Sequence, residues 1–156
     1  MATISQVHAS LVSKPRGIVK LPVAAAQTLY IGSLVYLNGG LVTACASDSK
    51  SIFGISNQNS ASVAVNTSVE VIPLDELSEL EMNVYHSTVT SAITANTQVG
   101  ENYALLVSTK CYCDIEDTTN VVFSVKRLSK RDAVGDTYGR VIVNVISAYL
   151  QKNASS

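Results

Sequence analysis

The chain has 156 residues, of which 47% are hydrophobic and only 15% charged, with a formal net charge of −1. That length suits one compact domain with a real core, and the near-neutral balance excludes the basic footprint that nucleic acid or an anionic membrane would require. The charged share is well below the roughly one quarter of an ordinary soluble domain, which predicts that other subunits cover some of the uncharged surface.

Residues 1–22 read as an extended N-terminal arm. Ile4, Val7, Leu11 and Val12 are spaced irregularly among small polar residues, Lys14-Pro15-Arg16-Gly17 is a turn, and Ile18-Val19-Lys20-Leu21 is a short strand stopped by Pro22. Such an arm finds its order on another chain, or frays beside one edge strand. The start of the sequence lacks a basic stretch followed by an apolar one, and no apolar run reaches the ~20 residues that span a bilayer, so the expectation is a protein made in the host cytoplasm and not held by a membrane.

Ala24-Ala25-Ala26-Gln27 is long enough for one helical turn only. Residues 23–76 then form the best-defined unit, a β-barrel kernel. Asn38-Gly39-Gly40 separates Leu34-Val35-Tyr36-Leu37 from Leu41-Val42-Thr43, and this is the strongest hairpin signal in the chain because Asn and Gly tolerate positive φ. Ile52-Phe53-Gly54-Ile55 and Val69-Glu70-Val71-Ile72 supply further strands. Gly32 and Gly54 each adjoin a strand, where the missing side chain permits a bend or a close backbone approach.

From Leu74 to Glu81 the chain is acidic, with Asp75, Glu76, Glu79 and Glu81. Leu74, Leu77 and Leu80 have a helical stagger, after which Leu80, Met82 and Val84 alternate, so a linker or short helix passes into a strand. Residues 77–150 form a second β lobe in the same style, ending in the β-prone run Val141 to Ile146, and residues 151–156 are a polar tail. The fold class is all-β, a small barrel or sandwich, with one continuous barrel or two lobes left open.

Groups that carry chemistry are sparse. His86 stands beside Ser87 and Thr88, but no Gly-x-Ser-x-Gly elbow accompanies it. The acidic run lacks the glycine of an EF-hand loop. Cys111 and Cys113 alternate on one strand face without a second ligand pair, so Cys45, Cys111 and Cys113 are expected to be buried free thiols, with no metal. Lys126-Arg127 and Lys130-Arg131 are followed by Asp132 and Asp136 and read as a solvated strand end. No phosphate-cradling loop follows any strand, and the seven tyrosines are not interleaved with basic residues. No catalytic residue, cofactor or direct nucleic-acid contact is expected.

Gly32-Ser33-Leu34-Val35 with its hairpin, then Ile52-Phe53-Gly54-Ile55, Val69-Glu70-Val71-Ile72-Pro73 and the late Gly135-Asp136-Thr137-Tyr138-Gly139-Arg140-Val141 together resemble the small β-barrel modules of tailed-phage capsid decoration, or cement, proteins. The resemblance covers roughly residues 28–147. It implies a non-enzymatic virion protein on the outside of an icosahedral bacteriophage head, bound where major capsid protein subunits meet, as a homotrimer or a dimer. Arms often supply the capsid contact in such proteins, and position alone nominates Ile4, Val7, Leu11, Lys14, Pro15 and Arg16. The alternatives are a tail or fibre component and a small trimeric β-fold nucleotide hydrolase. The hydrolase lacks its phosphate loops and a water-activating carboxylate in this sequence.

Overall fold

The computed structural model describes residues 2–15 and 17–151. Their regular structure is all-β, apart from 3-10 turns at Val89–Ser91, Asn96–Gln98 and Ser147–Tyr149. β1 is Ser10–Leu11, β2 Val19–Pro22, β3 Leu34–Asn38, β4 Leu41–Ala44, β5 Gly54–Ser56 and β6 Ser68–Pro73; β7 is Leu80–Tyr85, β8 Asn102–Val107, β9 Cys111–Asp114, β10 Val121–Leu128 and β11 Arg140–Val145.

Strands β2 to β6 make an antiparallel sheet in the order β2-β6-β5-β3-β4. It curls until Val23, just past β2, bridges Val42 of β4. The curl encloses Val23, Leu29, Val35, Leu37, Val42, Val69 and Val71. β3 and β4 are joined by a two-residue turn in which Gly39 and Gly40 have φ of 59° and 82° and Asn38 pairs with Leu41. Two successive positive φ values define the turn whose twist matches the flanking strands. The glycines occupy both central positions, and the asparagine lies outside them.

Strands β7 to β11 form a closed barrel. The order β7-β11-β10-β8-β9 returns to β7 through a parallel pairing of Val84 with Cys113 and Tyr85 with Asp114. The two units share one buried cluster: Leu34, Ile52, Ile55 and Leu74 pack in it with Leu80, Met82, Leu105, Phe123 and Val143. β3 therefore has apolar neighbours on both faces, with Val35 and Leu37 inside the first sheet and Leu34 and Tyr36 against the shared core. This accounts for an unbroken apolar run where a half-exposed strand would alternate. At Gly54 a Cβ would overlap the Ile72 carbonyl, so the β5–β6 contact in this shared region requires glycine.

Two expected helical stretches are turns. Asp75 accepts from the Leu77 amide at 2.9 Å, the Ser78 hydroxyl accepts from the Asp75 amide at 3.0 Å, and Leu77 is left exposed. Local side-chain bonds of this type compete with helix. Ala26 sits at φ 57°, which ends any turn of helix begun at Ala24.

Both ends of the chain cross over. The N-terminal arm lies along the second barrel: the Ile4 amide donates to Thr137, β1 pairs with β7, and the Val12 amide donates to Glu79. At the other end Ile52 and Leu150 bridge, and the Gln151 side chain accepts from the Leu37 amide at 2.7 Å and donates to its carbonyl at 2.9 Å. Each barrel is thus strapped by chain from beyond the other.

Candidate interaction surface

The arm's seat is built around Asn83. This side chain is fully buried in β7. Its amide nitrogen donates to the Ser5 and Tyr138 carbonyls at 3.2 and 2.7 Å, and its oxygen accepts from the Val7 amide at 3.0 Å. β7 uses one edge for β11, and on its other edge pairs with β1 at Leu80 and Glu81 and with β9 at Val84 and Tyr85. Asn83 lies between those two pairings and bonds the arm backbone where no ladder does. Tyr112 adds a hydrogen bond to Gln6 at 2.5 Å. The Asn83→Ala substitution removes the bonds to three backbone groups, and we expect it to cost about 2–4 kcal/mol of stability, since stranded buried polar groups cost about 1–3 kcal/mol each. Urea unfolding measures this, and a loss below 1 kcal/mol would contradict the clasp.

The six nominated contact residues do not form one patch. Ile4 is half-buried beside Thr137. Leu11 pairs with Leu80 and packs on the shared core. Val7 is 44% exposed and lines a cleft with His8, Ile31, Gly32 and Asn57. Lys14 and Pro15 are exposed and border a separate groove with Asp75 and Leu77. Arg16 lies outside the described residues. Large apolar side chains are exposed on the arm and its exit at Val7, Val12, Ile18 and Val19, at Tyr30 and Ile31, and elsewhere at Val65, Leu77, Val89, Val99 and Val134.

One network of paired charges runs along the β7 side of the second barrel. Glu79 holds Arg127 through two bonds of 3.1 Å and Lys126 at 3.5 Å. The hydrogen bond from Arg127 keeps the Glu79 carboxyl below its ordinary range. Buried Glu81 accepts from Arg131 at 2.6 Å and from the Ser129 hydroxyl at 2.7 Å. Arg140 holds Asp132 through its Nε at 2.8 Å and through Nη2, and lies 3.9 Å from Glu81. The acidic and basic runs, which in the sequence read as separate solvated faces, neutralise each other across the β7 side of the second barrel.

His86 and its neighbour Ser87 bond to different partners. The Ser87 hydroxyl donates to Glu116 at 2.8 Å, not to His86, while His86 Nδ1 accepts from the Thr88 amide at 3.0 Å. That wiring gives no nucleophile-to-base hydrogen bond. The three cysteines are free and buried. Burial pushes the Cys45 thiol up to about 12 and raises Cys111 and Cys113 as well, so all three are protonated near neutral pH. Among the described residues no cluster of three or more His, Cys, Asp or Glu side chains is placed to hold a metal ion.

Asn83, Gln151 and the Glu81–Arg140–Asp132 network are the structural residues that sequence reasoning missed. The partners of Asn83, Gln151 and Glu81 lie tens of residues away, and Arg140 and Asp132 are eight residues apart across a turn. A scan against protein-family models, a search of curated proteins and a search of solved structures each found no match.

Proposed function

We propose that this chain is a structural decoration protein that binds the outer surface of an icosahedral phage head at junctions between major capsid subunits and stabilises the shell. The supporting observation is the exposure of Val7 and Val12 on the strap and of Ile18 and Val19 just beyond it, in a chain of which only 15% is charged. Apolar side chains left exposed on the arm and its exit supply area that an association would bury. A repeated shell lattice needs complementarity from such a surface and no chemistry, and joining copies into a homotrimer or dimer makes weak single contacts sufficient. The major capsid protein is the proposed partner and the head exterior the proposed location.

Co-sedimentation with purified heads stripped of surface proteins tests the reading. The expected result is saturable binding in a fixed ratio to capsid subunits, with bound heads surviving heating that disrupts bare ones. Protein that stays in the supernatant at every concentration, or that associates with tails, would overturn it.

A further inference from the structure

The arm crosses the body at His8, and the crossing has three unusual features. First, both ring nitrogens of His8 are sealed from solvent and have no hydrogen-bond partner among the described residues. Second, the ring stacks on Tyr30 with centroids 5.2 Å apart and 16° between planes, and the Lys110 ammonium stands 5.9 Å from the centroid of that same Tyr30 ring. Third, the arm passes so close to Gly32 that a Cβ there would overlap the Ala9 carbonyl and lie 2.7 Å from the His8 Cβ. The arm at His8 and Ala9 therefore lies directly against Gly32, with both ring nitrogens of His8 out of contact with solvent.

A neutral imidazole tolerates this place at a cost, because one donor and one acceptor go unmet. A protonated one carries two unmet donors and a full charge beside a lysine. The ionisable groups facing it are Tyr30, from the loop before β3, and Lys110, from the turn between β8 and β9. The wall from β5 and β6 contributes Ile55, Ser56, Asn57 and Ile72, and the arm itself Val7, Ala9, Ser10 and Leu11, none of which titrates. No carboxylate lines the cleft among the described residues to accept the added proton's charge.

We propose that His8 is a proton-operated latch: protonation of its imidazole, stacked on Tyr30 near Lys110, releases the arm around residues 7–11 from the cleft that it lines with the first sheet. Burial, followed by Lys110, lowers the proton affinity of the docked ring. A released arm takes up a proton near the ordinary value of about 6.5. Docking is accordingly complete above that pH and weakens as pH falls below it, by about tenfold per pH unit until the docked ring titrates too. The inference concerns the arm's own equilibrium and stands whether or not the protein binds phage heads.

Hydrogen exchange of the Val7 and Val12 amides in the intact chain, corrected for intrinsic rates, reads the latch. Between pH 7.5 and 5.0 the opening constant is expected to rise by about 10- to 30-fold. His8→Phe keeps a stacking ring that cannot titrate and should hold the constant flat across the same range. An NMR titration of wild-type His8 should place the docked ring below about 6.5. Equal protection at both pH values, an acid effect that survives in His8→Phe, or a docked His8 titrating at or above the ordinary value would each overturn the proposal.

Discussion

Replacing Arg140 with alanine is expected to destabilise the fold by about 3–5 kcal/mol at neutral pH, the usual cost of stranding one half of a buried ion pair. Arg140 is only 14% exposed, and the side chains that it faces, Asp132 and Glu81, are 2% and 6% exposed. Glu81 would retain Arg131 and Ser129, whereas Asp132 would retain the backbone amide of residue 140 at 2.9 Å. The loss therefore falls mainly on Asp132. In the native chain the Arg140 hydrogen bond holds the Asp132 carboxyl below its ordinary range. The pair's contribution is thus complete above the ordinary value of about 4 and is lost as pH falls through the lower folded value. In Arg140→Ala the unpaired buried carboxylate prefers its proton, so the deficit should shrink as pH falls from 7 toward 4. Urea unfolding at both pH values checks the size and the sign. A second variant, Arg140→Met with Asp132→Leu, should recover much of the loss, because apolar replacements of a buried pair are often neutral. A deficit under 1 kcal/mol in the single variant would mean that the pair is solvated.

The second large effect is expected from removing residues 1–13. A free arm would be lost without thermal consequence. This one carries buried Ala9, the half-buried Leu11 and backbone bonds to Thr137, Asn83 and Glu79. Apolar burial of that size and hydrogen bonds worth about 1 kcal/mol each together give about 3 kcal/mol or more. For a chain of this length, that lowers the melting temperature by about 6–12 °C. Calorimetry of the truncated chain would show it, and an unchanged melting temperature would mean that the strap adds nothing to the body. The comparison bears on function too. Loss of head binding in the truncated chain counts toward an arm contact only at temperatures where its barrels remain folded.

The all-β class and the strands of both lobes were legible because apolar runs and their glycine and polar breaks are local signals. Gly39 and Gly40 marked a hairpin, Leu80, Met82 and Val84 marked a strand, and Gly32 and Gly54 marked close approaches. What approaches Gly32 was not legible, because the visitor is Ala9 on an arm more than twenty residues upstream. The arm looked loose for a physical reason: its side chains lack a period, and its order comes from backbone groups bonded to Asn83, Thr137 and the β7 edge. The acidic and basic runs each looked solvated because pairing between Glu79 and Arg127 depends on strands brought together only by closure of the second barrel. The helical stagger at Leu74, Leu77 and Leu80 misled because Asp75 and Ser78 bond the backbone of a turn more effectively than two turns of helix could be held there.

The role proposed for the doubly strapped pair of barrels is that of an adhesive on a phage shell. Electron cryomicroscopy of heads carrying the protein tests it most directly. The expected result is two-barrel density on the outer surface, seated over junctions between capsid subunits, with the arm and its exposed Val7 and Val12 turned toward the shell. A bare shell, or the same density found only on the tail, would contradict it.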